Sequence, residues 1–201
     1  MVEKQNIGII GIQGAVSEHY NSLKLVLEKK NISSKITIIR RKEDFKDLDG
    51  LIIPGGESTT ISRVLYNSGL YDLILKKIQD ENLPILGTCA GCVLLANEVT
   101  GEDKDIHPLK AIDMTVERNA FGRQKESFEK YIDIDGFMDP YYAVFIRSPI
   151  IRKVWGKCKI MSKVNNDIVM VRQNNTIALS FHPELTDDLR IHDYFIDLIY
   201  K

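Results

Sequence analysis

The sequence predicts an α/β domain: a mostly parallel central sheet with helices on both faces and antiparallel strands added at one side. Three observations predict it. Short, continuously apolar runs alternate with amphipathic helical segments through the first half, the pattern of strands covered on both faces. Several of those runs end in glycine or proline, where a strand gives way to a turn. From residue 111 onward, extended segments with little helix between them replace the alternation, until a final helix closes the chain.

The elements follow in order. "NIGIIGI" (6–12) is an Ile-rich apolar run and reads as the first strand. In "AVSEHYNSLKLVLEKKN" (15–31), Val16, Tyr20, Leu23 and Leu27 recur at helical spacing with charges opposite. "KITIIR" (35–40) and "GLIIP" (50–54) are further strands. The helix after Pro-Gly-Gly takes Ser58 or Thr59 as its expected N-cap, and the pattern from Tyr66 to Asp80 is interrupted at Gly69. "LPILG" (83–87) is a fourth strand, and "AGCVLLANE" (90–98) reads as the first turns of a helix. Extended segments are expected at "AIDMTVERN", "FEKYIDID", "YYAVFIRSP" and "KCKIMSKV", with a polar loop at "TGEDKDIHP" (100–108). "DIVMVRQNNTIALSF" (167–181) is a hairpin whose Asn174-Asn175 suits a two-residue turn needing positive φ. "DDLRIHDYFIDLIY" (187–200) is a helix with Asp187 and Asp188 near its positive end.

With 201 residues and no repeat or linker, the chain reads as one domain over 1–201. The 27 basic and 28 acidic residues are evenly mixed, which removes the electrostatic footprint of a nucleic-acid binder. No apolar run approaches the ~20 residues needed to cross a bilayer, so no membrane partner is expected. "MVEKQN" is not a signal peptide, and three cysteines make no disulfide framework, which points to a reducing cytoplasm.

Cys89 falls at the join of a strand and a helix, inside "GTCAG" (87–91). This has the form of a nucleophile elbow, in which a strand turns sharply into a helix and small neighbours keep close backbones from clashing. A helix N-terminus favours the thiolate, and the next N–H, that of Ala90, is placed to help bind an oxyanion. Two other readings stay open at this point: a buried structural cysteine, and a redox pair in the C-x-x-C of Cys89 and Cys92. Cys92 falls on the apolar side of the helix. No second C-x-x-C or C-x-x-H exists to complete a zinc site, and neither metal nor cofactor is expected.

A thiolate nucleophile needs a histidine base, and the base an orienting carboxylate. Of His19, His107, His182 and His192, only His182 sits where an apolar strand ends, in "ALSFHPELT". Glu184, two residues on, projects to the same side of an extended segment. "IIPGGEST" (52–59) follows another strand, so its paired glycines lie at the same carboxyl edge as Cys89, where such sheets bind ligands. Backbone N–H groups there approach a developing oxyanion closely. No G-K-[ST] follows, which argues against a phosphate loop.

Cysteine elbow, Pro-Gly-Gly loop and late His-Pro-Glu, in that order, resemble class I (triad) glutamine amidotransferases. Within that class, "GIIGIQGAVSEH" (8–19), "PGGEST" (54–59), "GTCAG", "ERNAFGRQ" (117–124), "FIRSP" (145–149) and "FHPE" (181–184) resemble the glutaminase subunits of pyridoxal 5'-phosphate synthases. The resemblance implies a three-layer amidotransferase-like sandwich and hydrolysis of L-glutamine to glutamate and ammonia. It implies Cys89 as nucleophile, His182 as acid and base, and Glu184 as its orienting carboxylate. Gly55, Gly56 and Ala90 are implied as the oxyanion site, and Gly55, Gly56, Glu57, Arg118, Ile146 and Arg147 as glutamine contacts. It further implies a partner, a (β/α)8-barrel synthase subunit in a large hetero-oligomer, which receives the ammonia through a tunnel and activates the glutaminase on docking. Part of the docking surface is expected near Gln13-Gly14, with docking reorienting the Gly55–Gly56 peptide. Ser148 stands where alanine is more usual. The alternatives are a glutaminase subunit serving histidine, purine or anthranilate synthesis, and a DJ-1/PfpI-like cysteine hydrolase.

Overall fold

A computed structural model describes residues 5–81, 83–101, 105–118 and 127–200. Its elements in chain order are β1 (Asn6–Ile10), α1 (Val16–Lys29), β2 (Lys35–Ile39), β3 (Gly50–Ile53), α2 (Ser58–Ser68), α3 (Leu70–Glu81), β4 (Ile85–Thr88) and α4 (Ala90–Leu95). There follow β5 (Ala96–Thr100), β6 (Ile112–Glu117), β7 (Ser127–Ile132), β8 (Tyr141–Ile146), β9 (Ile150–Val154), β10 (Lys159–Val164), β11 (Asp167–Gln173), β12 (Thr176–Leu179) and α5 (Arg190–Ile199).

The main sheet runs β2-β1-β3-β4-β12-β11-β9-β6-β5, with β10 also paired to β11; β7 and β8 form a separate antiparallel pair. From β2 to β12 all neighbours are parallel, and β11, β9 and β6 continue the sheet by antiparallel pairing. The continuously apolar strands are those buried on both faces, as the sequence predicts. Ile52 and Ile53 show why: successive residues point to opposite faces. Ile53 belongs to the buried cluster that holds Leu65 of α2, Ile74 of α3 and Leu95 of α4, while Ile52 belongs to the one that holds Leu23 of α1 and Phe195 of α5. Among the described residues no helix is long and apolar enough to cross a membrane.

The hairpin forms as expected. β11 and β12 pair through Gln173↔Thr176, and Asn174 turns with φ of 52°. Gly69 separates α2 from α3 in the left-handed region, φ 68°. The Asp188 carboxylate accepts the Arg190 N–H at 3.1 Å at the start of α5.

Three expectations need correction, and one strand was not foreseen. Glu57, not Ser58 or Thr59, caps α2: its carboxylate accepts the N–H groups of Thr59 (2.9 Å) and Thr60 (2.6 Å), while Ser58 is buried in the first turn. The helix after Cys89 ends at Leu95 because Ala96 leaves it to pair with Ile112, and the next four residues join a strand of alternating exposure. "IIRKV" forms β9, a strand the sequence does not announce; Pro149 ends one extended segment and a second starts at once, antiparallel to β6. Finally, the buried face of α1 is turned by one residue: His19 is fully buried with Leu23, Val26 and Leu27, while Tyr20 is exposed.

Candidate active site

Register brings the chemistry to one edge. β12 lies between β4 and β11, with Leu179 opposite Thr88, and the Cys89 N–H donates to the Leu179 carbonyl at 2.8 Å. Three residues after Leu179 the chain reaches His182, whose N–H donates to the Val144 carbonyl at 2.8 Å. On the other flank, Ile53 pairs with Gly87, so the Pro54-Gly55-Gly56 turn leaves β3 beside the same elbow. Cysteine, histidine and paired glycines, distant in sequence, emerge from three adjacent parallel strands.

Cys89 holds φ 48° and ψ −101°, a backbone conformation that costs a non-glycine residue of order 1–3 kcal/mol. It persists because both sides are packed. A Cβ on Gly91 would stand 2.0 Å from the Ile53 carbonyl oxygen, so only glycine lets α4 lie this close to β3. The thiol is mostly shielded, and its sulfur lies 4.0 Å from the Ile146 carbonyl oxygen. Cys92 is fully buried, and burial pushes its thiol far above the ordinary range; that disposes of a redox partner for Cys89.

The His182 Nδ1 is 2.8 Å from Glu184 Oε1, and the ring and the Cys89 side chain both stand against Gly55. Burial acts to lower the imidazole pKa, but the neighbouring Cys89 and the Glu184 carboxylate outweigh it and raise it to about 10. This is the electrostatics of an imidazolium lodged between a sulfur and a carboxylate. Gly55 is pressed against both partners: a Cβ there would meet His182 Cε1 at 2.5 Å and Cys89 Cβ at 3.2 Å.

The three N–H groups of the expected oxyanion site differ in state. That of Ala90 opens α4 and has no intrahelical acceptor. That of Gly56 has no hydrogen-bond partner among the described residues. The Gly55 N–H, by contrast, donates to Thr88 Oγ1 at 3.0 Å and is engaged in this conformation. The Gly55 carbonyl is directed at Gly14, where a Cβ would lie 1.6 Å from the oxygen. Gln13 joins the same contact, accepting the Glu57 N–H at 3.4 Å.

Around the mouth, Glu57 and Arg118 form an ion pair at 3.3 Å. Desolvation opposes ionisation of Glu57, but hydrogen bonds from Thr60 and Thr59 hold its carboxyl down at about 2. Ile146 and Arg147 are exposed at the end of β8, and Arg147 turns with φ 44°. Most of "ERNAFGRQ", residues 119–124, lies outside the described residues; Glu117 ends β6 and Arg118 follows it. Sequence reasoning missed two residues behind the triad, His19 and Thr88. The signal for His19 was its i, i+4 spacing with Leu23, masked by the more apolar Tyr20 beside it.

Comparison with known proteins places this geometry. The profile of the SNO glutamine amidotransferase family matches residues 9–201. The chain belongs to the SNO glutamine amidotransferase family. Among relatives of this SNO chain, a protein of Pyrococcus furiosus named pyridoxal 5'-phosphate synthase subunit PdxT is 46% identical over 96% of this chain and 98% of its own. A protein of the same name from Halalkalibacterium halodurans is 44% identical over 96% of this chain and 94% of its own. A crystal structure titled as a glutamine amidotransferase superposes with a TM-score of 0.85 at 38% identity, covering 97% and 99% of the two chains. A second, a glutamine amidotransferase of Thermotoga maritima, matches at 0.61 and 13% identity and shares the fold alone. The α/β fold predicted from the sequence, a mostly parallel sheet extended by antiparallel strands, is the one observed.

Proposed function

We propose that the chain is the glutaminase subunit of a pyridoxal 5'-phosphate synthase, acting in vitamin B6 biosynthesis in the cytoplasm. It would hydrolyse L-glutamine to L-glutamate and ammonia and pass the ammonia to a (β/α)8-barrel synthase subunit in a hetero-oligomer. The observation that carries the chemistry is the row Cys89–His182–Glu184 at a strained strand-to-helix elbow. The near-full-length relatives named as synthase subunits favour this pathway over histidine, purine or anthranilate synthesis.

The Cys89 thiolate attacks the side-chain amide carbon of glutamine, and the C–S bond forms as the carbonyl electrons move to oxygen. The N–H groups of Ala90 and Gly56 stabilise that oxyanion, and a turn of the Gly55–Gly56 peptide completes the site. The tetrahedral intermediate collapses, the C–N bond breaks, and the nitrogen takes the His182 proton to leave as ammonia. Neutral His182 then removes a proton from water, whose oxygen attacks the thioester and releases glutamate and the thiolate. Glu184 holds the ring with Nδ1 toward itself and leaves Nε2 for the reacting atoms.

A free amino acid presents an ammonium and a carboxylate, and the Glu57–Arg118 pair offers the opposite charges at the mouth, beside Ile146 and Arg147. Docking at Gln13-Gly14 would bear directly on the Gly55 carbonyl, which is how a partner would turn the peptide. The test is ammonia and glutamate release from L-glutamine by the chain alone and with a barrel synthase. Turnover that rises on adding synthase is expected. Equal turnover in both counts against docking-dependent activation, and none in either counts against the glutaminase assignment.

A further inference from the structure

Behind the triad lies a second, wholly buried polar chain. His19 of α1 and His192 of α5 face one another with His19 Nδ1 3.0 Å from His192 Nε2. The other nitrogen of His19, Nε2, is 3.2 Å from Thr88 Oγ1, the atom that accepts the Gly55 N–H. It is also 3.4 Å from Glu184 Oε2, the carboxylate oxygen turned away from His182. Both histidines and Thr88 are fully excluded from solvent, and Glu184 nearly so. Glu184 Oε2 receives no hydrogen bond from any described residue, so this nitrogen is the polar group on which its charge depends.

Two tautomers fit these distances, and they are not equal. If Thr88 donated to His19 Nε2, that lone pair would face a carboxylate oxygen. His19 Nδ1–H would then donate to His192, leaving His192 Nδ1–H as a buried donor with no partner. In the opposite arrangement His192 Nε2–H donates to His19 Nδ1. The His19 Nε2–H then donates to Thr88 and turns its positive end toward Glu184, and only a lone pair on His192 Nδ1 is left unmatched. Buried orphan donors are rarer than unmatched acceptor capacity, and a carboxylate needs positive neighbours. Burial, together with the charges of His192 and His182, holds the His19 pKa well below 6.5; burial brings His192 to about 4, so both rings are neutral.

We infer that His19 is a positioning residue of the glutaminase site: its Nε2–H steadies the Thr88 hydroxyl that carries Gly55 and the Glu184 carboxylate that orients His182. The inference rests on the glutaminase reading above and deepens it. One imidazole thereby ties the oxyanion loop and the base to α1, the helix that follows Gln13-Gly14, and His192 sets which nitrogen bears the proton.

The test combines kinetics with a direct view of the proton, using the full chain with a barrel synthase and L-glutamine. His19→Leu removes the donor and is expected to lower kcat by about 10- to 100-fold with KM within about twofold. His19→Gln, whose amide N–H reaches the same place, should recover most of that loss. In 15N-histidine spectra of the unaltered protein, His19 should carry its proton on Nε2 and not on Nδ1. A proton on Nδ1, or a His19→Leu variant as active as the parent, overturns the inference. Should His19→Leu not fold, the tautomer and the His19→Gln rate still decide: a proton on Nε2 with near-parental turnover supports it, and a His19→Gln variant that folds but falls as far as loss of the donor demands contradicts it. Absence of glutamine hydrolysis by the parent would instead sink the glutaminase reading and leave the tautomer result standing.

Discussion

The parallel half of the sheet and the antiparallel strands beyond and beside it do different work. Strands β1, β3, β4 and β12 are buried along their length and end on one edge, where Gly55, Cys89 and His182 project from the turns that follow. Strand β6, in the antiparallel part of the sheet, and β8, in the separate β7–β8 pair, alternate buried and more accessible residues, and β8 approaches the site with backbone groups: the Val144 carbonyl holds the His182 N–H, and the Ile146 carbonyl lies beside the thiol. The difference teaches that the parallel half supplies reacting groups, while the antiparallel strands supply walls and stability.

Substitutions can break that division. Cys89→Ala removes the nucleophile and should lower glutamine hydrolysis about 10⁴-fold or more while leaving the fold and complex formation intact, read by ammonia release and size-exclusion chromatography. Next in size, Gly55→Ala places a methyl 2.5 Å from His182 Cε1; the ring or the loop must shift, and kcat should fall about 100-fold with thermal stability less affected.

The same division explains what the sequence made legible. Runs such as "GLIIP" and "LPILG" declare doubly covered parallel strands, and the elbow, the glycine pair and H-P-E stand in the turns that end such strands, so topology alone assembles them. The added strands β5, parallel to β6, and β9, antiparallel to it, were hidden because each begins where another pattern ends, the α4 helix and Pro149, with no turn residue between them that reads as a boundary. His19 was obscured for a different reason. A polar residue on the buried side of a helix weakens the apolar stripe by which that side is recognised.

Two smaller effects sharpen the contrast through stability. Met114→Ala, at a fully buried position of β6, should cost about 2–5 kcal/mol in urea unfolding and leave kcat of the folded protein within about twofold. Acid should act through the histidines behind the triad. The His192 pKa is lowered to about 4, so the unfolded chain binds the proton first as pH falls below 6.5. Its contribution is complete above pH 6.5 and lost between there and about pH 4, roughly 3 kcal/mol from this ring alone. His182, raised to about 10, behaves oppositely: its contribution is complete below pH 6.5 and is lost as pH rises toward 10. Urea midpoints measured from pH 4 to pH 10 should therefore fall at both ends, and His192→Leu should flatten the acid side alone.

The central claim is that the sulfur at the elbow is the atom that attacks glutamine. It is tested most directly by treating the chain, with its synthase partner, with 6-diazo-5-oxo-L-norleucine, a glutamine analogue bearing an electrophilic carbon. The peptides are then mapped by mass spectrometry. One adduct, on Cys89, that excess glutamine prevents and that abolishes hydrolysis is the predicted result. Labelling of Cys92 or Cys158 in its place, or full hydrolysis after Cys89 is modified, would contradict the account.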